Sequence, residues 1–167
     1  MQRATFPLFA LVAFVLLGAS PALAPGSAAP AFLLENPGGD PFTIASFAGK
    51  PLVLNVFASW CPPCLVELPS IIASARKNRG RVAFLGIDEQ EPLTIGKAFA
   101  REMRIPYPIA FDHGQFAATY GASALPETVF LDRRGRIAAI VHGAMTPGEL
   151  ATDLAKIAPA TATPART

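Results

Sequence analysis

Cysteine is nearly absent: the 167 residues hold two, Cys61 and Cys64. A pair this close cannot staple a fold, because so short a loop hardly restricts the unfolded chain. Charge is sparse as well, at 16% of residues, with a formal net charge of +2. No basic stripe interleaved with aromatics is present, so nucleic acid is not expected as a partner. The only two histidines, His113 and His142, fall on different expected elements. A structural zinc site needs four thiolate or imidazole ligands, and no metal site is expected. What remains for the cysteines is a reversible Cys-x-x-Cys redox pair.

Apolar residues, by contrast, make up 51% of the chain. Part of that excess lies in residues 1–24, which read as an export signal. Arg3 supplies the positive charge, Phe6 to Leu17 the apolar core, and Ala22-Leu23-Ala24 a small-x-small cleavage pattern. The apolar stretch from Phe6 to about Ala24 also approaches the ~20 residues that span a bilayer, and Pro25 is a poor residue to follow a cut. A cleaved signal and a retained membrane anchor both fit. Either one places the domain in the periplasm or on the outer face of the cytoplasmic membrane. No cysteine follows the apolar core, which excludes a lipoprotein anchor.

Residues 25–30, Pro-Gly-Ser-Ala-Ala-Pro, read as a flexible linker. Residues 31–158 then alternate in pattern. Ala31–Glu35 and Pro41–Ile44 flank a turn-rich Asn-Pro-Gly-Gly-Asp and suggest a hairpin. Leu52–Ala58 is almost continuously apolar, as a strand buried on both faces would be. A helix should follow from Cys61 to about Arg79, stopped by Gly80 and kinked at Pro69. Arg81–Asp88 reads as a second strand. After Glu91-Pro92 comes a helix with Leu93, Ile95, Phe99, Ala100 and Met103 on its apolar side. Pro108–Asp112 is a short strand, with Asp112 as the cap of a short helix to Tyr120. Thr128–Asp132 and Arg136–His142 form a closing hairpin, and Thr146-Pro-Gly-Glu149 is a capping box that opens the last helix. Residues 159–167 read as a loose, disordered tail. Helices alternating with strands, closed by an antiparallel hairpin, imply a three-layer α/β/α domain.

A strand that stops at Trp60 and a helix that starts at Cys61 put Cys61 at a helix N-terminus. Unpaired N–H groups and the helix dipole favour a thiolate there. Cys64 lies one turn on and points inward. Pro62 and Pro63 suit the first turn, where their missing N–H groups would be unpaired anyway. They remove two donors from Cys61, and the N–H of Cys64 remains.

Asn55-Val-Phe-Ala-Ser-Trp-Cys-Pro-Pro-Cys64 resembles the active-site segment of thioredoxin-fold proteins, and more narrowly of the exported, often membrane-anchored thiol–disulfide reductases of the TlpA/ResA/CcmG type. Phe47-Ala-Gly-Lys-Pro51, Phe111-Asp-His-Gly114, Leu125-Pro-Glu-Thr-Val-Phe-Leu-Asp132 and Arg134-Gly-Arg-Ile137 agree with it. The resemblance implies a thioredoxin-like α/β domain with an N-terminal β-hairpin and a central insert. It implies that Cys61 attacks a partner disulfide, that Cys64 resolves the mixed disulfide, and that Pro126 is a cis-proline beside the dithiol. Leu125 would offer backbone groups to an extended partner segment, next to Trp60, Pro62 and Pro63. Thioredoxin itself has an aspartate at the position of Asn55, which cannot take the resolving cysteine's proton. Glu89 is expected to take that role, as a partly buried base for Cys64.

By this resemblance the protein is a disulfide reductase whose client is the Cys-x-x-Cys-His haem site of apocytochrome c or a maturation factor handling it. A membrane electron-donor thiol protein would re-reduce it, and no cofactor beyond the Cys61–Cys64 disulfide is implied. Glu127 resembles the cytochrome-maturation branch, whereas Pro62-Pro63 and Gly143-Ala-Met-Thr146 lean toward the TlpA/ResA side. Reduction of copper-delivery or oxidase copper-site cysteines is the alternative. A thiol peroxidase would want Thr or Ser three residues before the reactive cysteine, where Ala58 stands. A copper carrier would prefer Cys-x-x-x-Cys with a matched histidine.

Overall fold

The computed structural model describes residues 23–158, so the expected anchor or signal up to residue 22 and the expected tail from 159 lie outside the described residues. A short hairpin comes first, β1 (Leu34–Glu35) and β2 (Pro41–Phe42), antiparallel as expected. Its turn is tied by the Asn36 side chain, whose Oδ1 accepts from the N–H groups of Gly38 at 2.7 Å and Asp40 at 3.1 Å. After one turn of 3-10 helix, Ile44–Phe47, comes β3 (Leu52–Phe57), every residue of which is buried. The remaining order is α1 (Pro62–Lys77), β4 (Ala83–Glu89), α2 (Leu93–Glu102), β5 (Ile109–Asp112), α3 (Gln115–Tyr120), β6 (Glu127–Leu131), β7 (Ile137–His142) and α4 (Pro147–Ile157).

The strands form one seven-stranded sheet in the order β2-β1-β5-β4-β3-β6-β7. β3 lies inside it, parallel to β4 and antiparallel to β6. Alternate residues of β3 therefore feed two cores. Leu52, Leu54 and Val56 pack with Phe116 and Tyr120 of α3 on one face. Val53 packs with Ile71 of α1 and with Leu150 and Leu154 of α4 on the other. Phe57 extends that second face toward the cysteines and Phe99 of α2. The result is the three-layer thioredoxin-like α/β architecture.

Several local expectations shift. The helix α1 runs unbroken through Pro69. Pro69 and Leu65 are both exposed, so the carbonyl that loses its intrahelical donor faces water. Ile95 is not on the buried side of α2: it is 48% exposed, and Gly96 is the helix's buried residue. A Cβ at Gly96 would overlap the Asp88 carboxylate and come within 2.6 Å of the Phe111 ring, so the helix approaches the sheet through its smallest residue. Residues 25–30 are not a free linker. Gly26 N–H donates to Ile137 O at 2.7 Å, Ile137 N–H to Ser27 O at 2.9 Å, and Ala29 N–H to Gly135 O at 2.9 Å. The outer edge of β7 was an unpaired ladder, and the segment completes part of it. The caps of α3 and α4 follow the sequence: Asp112 accepts the N–H groups of Gly114, Gln115 and Phe116, and Thr146 and Glu149 form the capping box.

Candidate active site

Every feature of the dithiol follows from the strand-to-helix junction. β3 ends at Phe57, and Cys61, in extended backbone, is the N-cap of α1. Its N–H closes the turn onto Ala58 O at 3.2 Å. Cys61 and Cys64 are joined as a disulfide with an S–S distance of 2.07 Å. Pro62 and Pro63 occupy the first two helical positions, and the N–H of Cys64 donates to Cys61 Sγ at 3.3 Å. That single donor is the one the sequence left available. Once the disulfide is reduced, it and the helix dipole favour the thiolate of Cys61 over that of Cys64.

Cys61 opens onto a groove of about 470 Å³, walled on one side by Trp60, Pro62 and Pro63 and on the other by Ala124 and Leu125. Both cysteines are buried, at 3% and 2% exposure, but Cys61 lines the groove and Cys64 does not. Trp60 stands 63% exposed and Val66 79% exposed beside the dithiol, an apolar collar with no partner within the chain's own core. The Leu125–Pro126 peptide is cis, and the Pro126 carbonyl accepts from Gly143 N–H at 2.9 Å. The groove thus brings Trp60, Cys61, Pro62, Pro63, Glu89 and Leu125 to one cleft, with Pro126 adjoining Leu125 in sequence.

Six buried acids, Glu67, Asp88, Glu89, Glu91, Asp112 and Glu127, lie at the dithiol end of the strands, of which sequence reasoning had proposed only Glu89 as functional. Glu89 ends β4 on the groove face, and Gln90 Nε2 donates to its Oε1 at 3.0 Å. Burial, and then the Asp112 carboxyl paired with it across the strands, push the Glu89 pKa up to about 7. Gln90, which holds it, has left-handed backbone at φ 55°, unusual for a residue other than glycine.

Glu67 lies on the opposite face of the sheet. It follows Cys64 by three positions on α1, so the two share a helical face. It is 2% exposed, and burial pushes its pKa up to about 7. Asn55 Nδ2 donates to Thr128 Oγ1 at 3.0 Å, and Thr128 Oγ1 donates to Glu67 Oε1 at 3.5 Å. Asn55, where thioredoxin has its aspartate, therefore leads through Thr128 to an acid supplied by the helix. The spacing to Cys64 was the signal in the sequence: an acid one turn on, within an otherwise apolar helical face.

Glu91 binds the turn before the dithiol from the side. Its carboxylate accepts from Ser59 N–H at 2.7 Å and from Ser59 Oγ–H at 2.6 Å. Asp88, fully buried beneath Gly96, has no hydrogen-bond partner on either oxygen apart from the neighbouring Glu91 carboxyl. Burial and Glu91 push its pKa up to about 8. Glu127, fully buried after Pro126, pairs with His142 Nδ1 at 2.7 Å. Burial raises its pKa and His142 opposes the rise. His142 is thus engaged with an acid on the neighbouring strand. Among the described residues, no cluster of three or more His, Cys, Asp or Glu is placed to hold a metal ion.

A family model described as AhpC/TSA matches residues 25–140, a span that includes the dithiol, the groove and both central strands. The chain belongs to the AhpC/TSA family. Within it, the chain is 31% identical over 141 residues to the thiol-disulfide oxidoreductase ResA of Geobacillus thermodenitrificans, covering 83% of this chain and 80% of that protein. It is 30% identical to ResA of Bacillus thuringiensis, covering 80% and 79%. Among solved structures, it resembles a secreted Mycobacterium tuberculosis disulfide oxidoreductase homologous to E. coli DsbE, at 30% identity and a TM-score of 0.66, covering 74% of this chain and 94% of that one. It shares its fold with a thioredoxin-family thiol:disulfide interchange protein from Chlorobium tepidum, with a TM-score of 0.69, covering 80% and 97%. With relatives so named and a Cys-x-x-Cys disulfide at the mouth of a groove, the protein is a thiol–disulfide oxidoreductase acting on disulfide-bearing proteins.

Proposed function

We propose that this oxidoreductase works outside the cytoplasm as a reductase of protein disulfides, with the Cys-x-x-Cys-His site of apocytochrome c or a factor that handles it as client. The observation that carries the reading is the placement of Cys61. It caps a helix and lines an apolar groove bounded by Leu125, whereas Cys64 does not reach the groove. An extended client segment laid along Leu125–Pro126 would bring its disulfide to Cys61. The apolar stretch from Phe6 to Ala24 supports the location, as does the secreted character of the M. tuberculosis relative.

The cycle runs in two exchanges. The Cys61 thiolate attacks one client sulfur and the client S–S bond breaks. The departing client thiolate takes a proton from Glu89, which shares the groove and titrates near neutrality. Cys64 then yields its proton to Glu67, one turn along the same helix, and attacks Cys61 Sγ. The mixed disulfide breaks, the Cys61–Cys64 bond forms, and the second client thiolate leaves. Two electrons have passed to the client, and a membrane thiol protein must restore them. The base role for Cys64 that the sequence assigned to Glu89 passes here to Glu67, and Glu89 serves the departing client thiolate instead. Hydroperoxide reduction is disfavoured, since Ala58 stands where a peroxidase wants Thr or Ser and no arginine lines the groove.

The reduction potential of the pair tests the direction of electron flow. It can be read from the single tryptophan, Trp60, in thiol buffers of graded poise. A value near about −270 mV, as in thioredoxin, supports a reductase; one near about −120 mV, as in DsbA, would make the protein an oxidant and end the cytochrome-maturation reading.

A further inference from the structure

The two ends of the sheet differ in their ionisable groups. Glu67, Asp88, Glu89, Asp112 and Glu127, all buried, lie around the dithiol end of the strands. At the other end are Lys50 at the entry to β3, Arg79 after α1, and Arg133 and Arg134 in the β6–β7 turn, all exposed. Among the described residues none of these four is in an ion pair. The acid beside them, Asp132, is half-buried and bonded within the turn, its Oδ1 accepting the N–H groups of Arg134 at 2.8 Å and Arg136 at 2.9 Å. The six residues of β3 put about 20 Å between this basic pole and the dithiol.

Two further features meet at the same pole. A pocket of about 320 Å³ opens there, lined by Ile44, Phe47 and Leu131 together with three cations, Lys50, Arg133 and Arg134, and one acid, Asp132. The N-terminal strap is also fastened there. Ala28 bridges Arg136, and Arg136 Nη1 donates to Gly26 O at 2.6 Å, while Leu23 packs against the core. The first described residues thus run along the edge of β7 beside this pole, with Ala29 at Gly135 and Gly26 at Ile137.

We propose that this pole is a bilayer-facing surface that binds anionic phospholipid headgroups. The cations of Lys50, Arg79, Arg133 and Arg134 meet the lipid phosphates, and the pocket beside Lys50, Arg133 and Arg134 takes the less polar glycerol region. The occupant is a lipid surface because charge and sequence agree: the pole is cationic, and the chain strapped beside it continues, toward the N-terminus, into an apolar run close to bilayer-spanning length. Seated this way, the domain turns Cys61, Trp60 and the client groove away from the membrane. The inference rests on the extracytoplasmic, membrane-adjacent part of the proposed function and on none of its redox chemistry.

The test uses the full chain with vesicles of phosphatidylglycerol and phosphatidylcholine, and with vesicles of phosphatidylcholine alone. A water-soluble amine-acylating reagent is added, and modification of Lys50 and Lys97 is followed by mass spectrometry. Lys97, on α2 and bonded to Pro37 O at 3.1 Å, is the internal control. Each cation at an anionic surface raises partitioning roughly fivefold at moderate ionic strength. Lys50 acylation should therefore fall about tenfold or more on anionic vesicles, recover in high salt, and leave Lys97 unchanged. The double variant Arg133→Glu/Arg134→Glu should lose the protection yet reduce a soluble disulfide at the wild-type rate. Equal Lys50 reactivity on the two vesicles, or protection that survives in the variant, would overturn the proposal. So would equal protection by inorganic phosphate without vesicles, because the site would then take free anions. Failure of disulfide reduction in wild type and variant alike would remove the proposed function and leave the lipid result standing.

Discussion

Replacing Glu67 with glutamine probes the least obvious part of the site. The side chain is 2% exposed, and its pKa is raised from 4.5 to about 7 by burial. A carboxyl whose folded pKa lies above its unfolded value binds more protons when folded. Its contribution to stability is fully present below pH 4.5 and is lost as pH rises through about 7. A shift of this size corresponds to about 3 kcal/mol. Glutamine keeps the shape and cannot ionise. Glu67→Gln should therefore gain stability relative to wild type as pH rises, by about 3 kcal/mol between pH 4.5 and pH 8.5. The assay is denaturant unfolding of the oxidised protein, in which neither sulfur titrates. Wild type minus variant cancels the parallel titrations of Asp88, Glu89 and Glu127. In the reduced protein the same variant should slow resolution of a Cys61 mixed disulfide by about a hundredfold, the lower range for loss of a general base. A stability difference flat in pH would refute the reasoning, since Glu67 would then be ionised in the fold with an ordinary pKa and could not serve as a neutral-range acceptor.

Cys64→Ser should accumulate a mixed disulfide through Cys61 with a model client; accumulation only with Cys61→Ser would reverse the assigned roles. Glu89→Gln should slow the first exchange, by about a hundredfold at neutral pH, and leave resolution unchanged in single-turnover quenching; an effect confined to resolution would return Glu89 to the side of Cys64. Gly96→Ala should destabilise the protein by about 1–3 kcal/mol, because the added methyl meets the Asp88 carboxylate and the Phe111 ring. An unchanged unfolding midpoint would mean that α2 is not held that closely to the sheet.

The sequence by itself determined the fold class and the reacting atoms. Both rest on local patterns: the apolar run of β3, the prolines that start α1, and two cysteines one helical turn apart. Such features survive in a short window because backbone geometry and helix ends act over a few residues. The sequence also carried the caps of α3 and α4, where a side chain meets its own nearby backbone. What only the tertiary structure decided was which acids face the dithiol, and from where. Glu67 sits 61 positions before Thr128, and Ser59 lies 32 before Glu91, yet each pair is hydrogen-bonded. The burial that raises the pKa values of Glu67, Asp88 and Glu89 exists only once helices close on both faces of the sheet. The same holds for the strap of residues 26–29. Its composition reads as a linker, and it is ordered because β7 offers an open edge that no local pattern in residues 25–30 could announce.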